Sequence, residues 1–246
     1  MNNLKAQFKN QIYWLGVSCL FFFALSACVS TPPASQTESA SSGFVVSQAP
    51  RTLALLPFDN NSVSEPEKYA PLSKGLAAML LTDLSRNSTG LQLIERDKIQ
   101  ALLKEIALSQ SGSVDENTAV KVGKVLGAQA IAFGSFMVLG ETVRIDARIV
   151  KVETSELLLA ENVMGNADNF IALEQELASK IAAALQVALK PPAKEAGSNI
   201  EAALLFSRGV DAYDKGNLEQ ADQFFARSIA ADPSYQVQVD GLKGSQ

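Results

Sequence analysis

The side chains that ordinarily do chemistry are scarce in this sequence. It contains no histidine and two cysteines, Cys19 and Cys28. Without imidazole, a Ser-His-Asp relay, the common zinc sites and imidazole acid-base work are excluded. No GxxxxGK[ST] and no GxGxxG occurs, so no glycine-rich loop is set to cradle a phosphate. Asp59-Asn60-Asn61 begins like a calcium loop but lacks the glycine and the distal glutamate that complete one, and reads as a turn. Glu95, Asp97 and Asp146 lie near expected strand ends, where carboxylates are ordinarily solvated or paired. The sequence therefore predicts no catalytic residue, no cofactor, no metal and no small-molecule substrate. It points to a protein that binds.

Cys28 is the exception, because of where it stands. The only charges before it are Lys5 and Lys9, and the apolar run from Ile12 to Leu25 is shorter than the ~20 residues a spanning helix needs. Residues 1–27 read as an export signal. Leu25-Ser26-Ala27-Cys28 closes that segment and resembles the lipobox of bacterial lipoproteins, which implies that Cys28 is lipidated and becomes the first residue of the mature chain. The alternative is an uncleaved anchor helix in which Cys28 is incidental. Cys19 lies inside the removed segment, so the mature chain has no thiol for a disulfide, a metal or nucleophilic attack. The lipoprotein resemblance also implies the outer membrane, facing the periplasm, since Val29 and not aspartate follows the cysteine.

Processing would remove two lysines and no acid, taking the formal charge from −5 to −7. A surface of that sign argues against nucleic acid and against electrostatic docking on anionic lipid, leaving the N-terminal lipid as the membrane attachment. Residues 28–51 are rich in Ser, Thr, Pro, Ala and Gln and read as a lipidated, disordered tether. Its 22 residues from Val29 to Pro50 give an end-to-end span of roughly 25 Å. Phe44-Val45-Val46 is its one apolar interruption and could add an edge strand.

The elements that would make a folded domain follow from Thr52. TLALLPF (52–58) reads as a strand buried on both faces, and Leu72, Leu76, Met79, Leu80 and Leu84 as a helix starting near Pro71. LQLIER (91–96) is a second strand. Ile99, Leu102, Leu103 and Ile106 mark one helix, and Val122, Val125 and Leu126 another that stops at Gly127. Next come AQAIAFGSFMVLG (128–140), TVRIDARIVKV (142–152) with one wet face, and LLLAENVM (157–164), joined by short turns. Gly134 within a strand suggests close backbone approach or a bulge. Leu173, Leu177, Ile181, Leu185 and Leu189 form one stripe of a final long helix. The order β-α-β-α-α-β-β-β-α implies an α/β fold, a mixed sheet with flanking helices, over residues 52–189.

Several of these segments together resemble the periplasmic domain of the CsgG family of curli secretion lipoproteins. They are LALLPFDNNS, the helix holding Gly75, LQLIERDKIQALLKEIALSQSG, LGAQAIAFGSF and VRIDARIVKVETSELL. FlgO-like lipoproteins, the TolB amino-terminal domain and the LpoB activators share this general fold. The departure from the CsgG pattern is informative. That family inserts two transmembrane hairpins, each strand needing ~9–11 residues. Here the insertion points hold only Leu139-Gly140-Glu141 and Gly165-Asn166-Ala167-Asp168. The resemblance implies the periplasmic domain without the pore.

After a linker at 190–199, residues 200–236 carry a 34-residue tetratricopeptide-like pattern from Ala202 to Tyr235, followed by a tail at 237–246. Leu205, Gly209, Tyr213, Gly216, Ala221, Phe225 and Pro233 fall at or beside its marked positions. Gly209 and Ala221 are small where two helices would cross, and Phe225 would fill the groove between them. Arg208 and Ser228 depart from the pattern. One repeat alone is either a helical hairpin docked on the main domain or a partner-binding or self-association module. The Pro191-Pro192 linker favours two separate cores.

Function is therefore expected to be binding. The first reading is an accessory of an envelope secretion, surface-fibre (curli-like) or flagellar assembly, with an envelope protein as partner and a homo-oligomer possible. The second is an LpoB-like regulator of a peptidoglycan synthase. The third, opposed by the missing hairpins, is a CsgG-type export channel subunit.

Overall fold

The computed structural model describes residues 49–109, 115–190 and 200–244. They fall in one compact unit, Ser47–Gln246. Residues 1–48, which hold Cys28, the export signal, most of the tether and Phe44-Val45-Val46, lie outside them, as does the linker from 191 to 199.

The apolar run at 52–58 divides in two. β1 is Thr52–Leu55, and a two-residue β2, Asp59–Asn60, follows Pro57. The expected turn at Asp59-Asn60-Asn61 is thus partly strand, although the Asn60 side chain still accepts from the Ser62 amide at 3.0 Å, as an Asx turn does. A short helix α1, Pro66–Tyr69, precedes α2, Leu72–Asn87. Next come β3 (Gln92–Leu93), α3 (Arg96–Ser109) and α4 (Glu116–Leu126). Asp115 caps α4 by accepting from the Thr118 amide at 2.8 Å. Gly127 ends it with φ +67°, its amide donating to Lys124 and that of Ala128 to Gly123, the pattern that lets glycine satisfy the last carbonyls.

β4 (Ala130–Leu139), β5 (Thr142–Lys151) and β6 (Leu157–Asn166) form an antiparallel meander. The sheet order is β3-β1-β4-β5-β6, with β1 parallel to both neighbours and β2 parallel to β4. Gly134 pairs in register with Ala147, and a Cβ there would lie 2.0 Å from the Asp146 carbonyl oxygen. Close backbone approach is therefore its reason; the bulge lies elsewhere, between Ile149 and Val150 in the β5–β6 pairing.

After a 3-10 turn at Ala167–Asn169 comes α5, Phe170–Ala184. The stripe that pointed on to Leu189 ends early. Gln186 takes φ +54°, its amide bonding Ala183 and that of Val187 bonding Ala182, so the chain turns out of the helix. Leu189 instead forms a bridge with Ser88.

The C-terminal helices are α6 (Ile200–Asp214), α7 (Leu218–Ala231) and α8 (Tyr235–Gly244). The expected tail is thus a third helix, with Tyr235, Val239 and Leu242 buried. The expectation of two separate cores is also corrected. One hydrophobic cluster runs from Leu72, Phe136 and Ile145 through Leu177 to Leu204, Phe206, Phe225 and Tyr235. Small residues permit this close seating: a Cβ at Gly75 of α2 would lie 1.8 Å from Ser207 Oγ of α6, and one at Gly241 of α8 would lie 2.3 Å from Thr82 Cγ2 of α2. A second cluster, including Leu56, Ile99, Val122, Ile131, Phe133 and Val150, lies beneath α3 and α4 on the other side of the sheet. Val125, expected to point inward, is 70 % exposed, and Ala119, Val122 and Gly123 face the core in its place.

Candidate interaction surfaces

The tetratricopeptide-like residues are mostly engaged in packing. Leu205, Ala221 and Phe225 are buried, and a Cβ at Gly209 would lie 2.4 Å from the Phe225 ring, so the glycine makes room for that ring at the helix crossing. Gly216 turns the chain between α6 and α7 with φ +76°, and Pro233 is exposed just before α8. Ser228, which replaces the usual alanine, donates to the Ala202 carbonyl at 2.8 Å and ties α7 to α6. Tyr213 is half-buried at the end of α6 beneath the Arg96 guanidinium, 5.8 Å from its ring centroid.

Arg96 joins this helical block to the sheet unit. Its guanidinium pairs with Asp214, both side chains being largely buried. Lys74 of α2 adds Asp211 at 2.7 Å and Asp214 at 3.6 Å. The long-range role of Arg96 depends on Asp214, far along the chain. Glu95 itself is exposed and bonded to Lys98 at 3.0 Å, and Asp97 lies 3.9 Å from Arg96.

Sequence reasoning missed a buried acid pair. Glu174 of α5 is fully buried and Asp83 of α2 is nearly so. Burial pushes the Glu174 carboxyl well above the ordinary range, and the neighbouring Asp83 charge and hydrogen bond push it further in the same direction. Asp83 is also raised by burial, with hydrogen bonds from Glu174 and Gln238 and the Arg86 charge opposing. Gln238 of α8 donates to Asp83 at 3.0 Å, so three helices meet at this pair. The signal that could have found it is position: Glu174 lies on the buried stripe with Phe170, Leu173, Leu177 and Ala178.

The second surface is the face of the meander turned away from α2 and α5. Arg144 and Asp146, both about half-exposed, pair at 2.6 Å, with Asp146 in the middle of β5 and not near a strand end. Arg148 follows on the same face, opposite Ala160 of β6. Asp146, Arg148 and Ala160, together with Asp59, Ser135 and Asn162, line a concavity of about 450 Å³. Among the described residues no group of three or more His, Cys, Asp or Glu side chains is placed to hold a metal ion. What the surface offers is hydrogen-bonding groups and charge on a rigid strand scaffold.

The turn between β4 and β5 is Gly140-Glu141, with Gly140 at φ +60°, and β6 runs directly into the 3-10 turn at Ala167. Neither junction holds additional chain. No described helix is long and apolar enough to cross a membrane.

The architecture is a mixed sheet with charged groups exposed on part of one face. Residues 29–144 match the family described as "Curli production assembly/transport component CsgG", so the chain carries a CsgG-like domain. The match spans a little under half of the chain and stops at the start of β5. No curated protein matches the sequence. Among solved structures, it is similar to lipoprotein GNA1162 from Neisseria meningitidis at 16 % identity and TM-score 0.40, over 55 % of this chain and 99 % of that one. TolB from Acinetobacter baumannii is similar at 15 % identity and TM-score 0.38, over 56 % of this chain, which spans only 30 % of TolB. The LpoB C-terminal domain from Salmonella enterica is similar at 15 % identity and TM-score 0.35, over 48 % of this chain and 84 % of that one.

Proposed function

We propose that this protein is an outer-membrane lipoprotein, anchored through Cys28 and facing the periplasm, that acts as a binding or assembly accessory of an envelope secretion, surface-fibre or flagellar assembly. The observation that carries this reading is a CsgG-like domain whose two junctions for membrane hairpins are closed by a two-residue turn and a direct strand-to-helix step. The description of the matched family supports a role in assembly or transport. The lipobox-like Leu25-Ser26-Ala27-Cys28 supplies the anchor, and the partly buried charge cluster of Arg96, Lys74 and Asp214 ties the helical block to the sheet unit. The length of the polar segment from Val29 to Pro50 favours one second reading, a regulator that reaches through the cell wall to a peptidoglycan synthase.

Fractionation of cells expressing the full chain tests the anchor. The unaltered protein is expected in the outer-membrane fraction and Cys28→Ala in the soluble periplasmic fraction. Retention of Cys28→Ala on membranes would refute lipid anchoring. The purified lipidated protein is expected to leave planar bilayers electrically silent, and stepwise conductance would restore the channel reading.

A further inference from the structure

The meander leaves one edge open, and one face open beyond the part that α3 and α4 cover over Ile131, Phe133 and Val150. β6 is the last strand of the sheet, and among the described residues nothing pairs with its outer side. Across its ten residues it carries one charged side chain, Glu161, and neither lysine nor proline. It therefore lacks the lysine and proline that commonly keep a long edge strand from pairing, and its one irregularity, the bulge at Leu158, lies before the stretch from Ala160 to Met164. Glu161 does not guard the edge, because it points to the helical side, where Lys180 of α5 holds it at 3.1 Å.

The open face beside that edge has a defined charge pattern. Asp146 is neutralised by Arg144, and Asp59 has an interaction of its own. Arg148 is exposed and, among the described residues, its side chain has no ion pair or hydrogen bond. Its neighbour across the strand is Ala160, which is too short to screen it from the edge. Further along the same face, β6 presents Asn162 and then Met164, which is 63 % exposed and opposite Arg144. Met137, half-buried, and Leu139, 59 % exposed, continue that end of β4. An unpaired cation thus stands at one end of the face and an apolar patch at the other, four residues apart along β6.

We propose that β6 and this face dock an extended segment of another protein, added as a further strand, with a carboxylate side chain beside Ala160 meeting Arg148 and an apolar side chain four residues away beside Met164. An added strand lies ~10 Å from β5, a gap that an arginine and a glutamate side chain close between them. Main-chain bonds to the edge give affinity, and the alternate side chains give the pattern. A second copy of this chain does not fit. Antiparallel pairing of β6 with itself keeps each strand's faces, so the copy would bring Ala160, Asn162 and Met164 to this side, with Glu161 on the other. Arg148 would remain unmatched. This inference rests on the binding role proposed above and names the chemistry of the partner.

The test titrates the full chain, in detergent, with fluorescein-labelled ten-residue peptides on a Ser/Thr background. One set carries Glu and Leu four apart, in either order; a second has Lys for Glu; a third has Ser for Leu. Fluorescence anisotropy is expected to show saturable binding of a Glu/Leu peptide, at least tenfold tighter than its Lys/Leu counterpart. Arg148→Glu, with an unchanged circular dichroism spectrum, is expected to reverse that preference. A Glu/Leu peptide N-methylated at alternate residues, which cannot complete the strand ladder, is expected to lose binding without any change to the protein. Equal binding of Glu and Lys peptides, retention by the N-methylated peptide, or no binding by any peptide overturns the proposal. So does dimerisation abolished by Ala160→Arg, which would give the edge to a second copy. Any of these results with Cys28-dependent anchoring intact defeats this inference and leaves the proposed anchoring standing.

Discussion

The two faces of the meander are built from the same three strands and have opposite fates. On one side Phe136, Val143, Ile145, Ala147, Ile149 and Val163 are buried beneath helices that include α2, α5 and α6. On the other side, beyond Ile131, Phe133 and Val150, which α3 and α4 cover, Arg144 and Asp146 are half-exposed, and Arg148, Asn162 and Met164 are exposed. Because a strand alternates its side chains, neighbouring residues such as Arg148 and Ile149 serve different ends. Stability is concentrated on the helical side, and groups available for recognition on the open one. Substitutions should therefore divide by face, with large effects on unfolding from the helical block and small ones from the open sheet.

The largest effect is expected at Phe225, which lies far along the chain from the sheet it helps to stabilise. Its ring packs 5.8 Å from that of Phe206, which in turn lies 5.6 Å from Tyr235, and all three belong to the cluster that reaches β4 and β5. Phe225→Ala should cost ~3–5 kcal/mol, a large share of the ~5–15 kcal/mol a domain possesses. The loss should appear as one shifted unfolding transition, with amide exchange in β5 rising together with that in α6. Two separate transitions, with β5 protection unchanged, would break the comparison by showing that the helical block stabilises only itself.

An intermediate effect is expected at Glu174, and it depends on pH. Below the ordinary carboxyl value of 4.5 the group is protonated in the folded and unfolded chain alike, and its contribution is fully present. As pH rises, the unfolded chain releases the proton first while the buried, raised group keeps it, so stability falls until the folded-state value is passed. Glu174→Gln retains a donor toward Asp83 and cannot ionise. It should unfold ~1–3 kcal/mol later than the unaltered protein at alkaline pH, with the two converging near pH 4. Thermal melts across that range decide the matter, and parallel curves would remove Glu174 from the account.

The main order of elements was legible because it is written locally. Alternation in TVRIDARIVKV gave β5, Gly127 gave the end of α4, and Gly134 gave the close approach of β4 to β5. The early end of α5 was not, because Gln186 takes the left-handed turn that glycine usually marks. α8 was read as tail because YQVQVDGLKG has two glycines and a sparse apolar period, and its fit depends on Thr82 of α2. The shared core was obscured by the prolines of the linker, whereas the fit of Ser207 into the space at Gly75 is tertiary and leaves no local trace. The same holds for the candidate surface. Arg144, Asp146 and Arg148 could be placed on one wet face, but that Arg148 stands opposite a small residue at the sheet edge follows only from the β5–β6 register.

The smallest effect on unfolding is expected from Arg148→Ala, and it is the sharpest check on the comparison. Arg148 lies in the middle of a central strand, between the buried Ala147 and Ile149, where position in the sequence alone would suggest a stabilising role. Its side chain, however, points into the open concavity and forms no bond among the described residues, so removing it leaves no partner unsatisfied and no core space empty. An exposed substitution of that kind ordinarily changes stability by no more than ~0.5 kcal/mol. Chemical denaturation of Arg148→Ala should therefore overlay that of the unaltered protein in midpoint and slope. A loss of several times that size would mean that the guanidinium is held within the folded protein, and the open face would then belong to its stabilising framework.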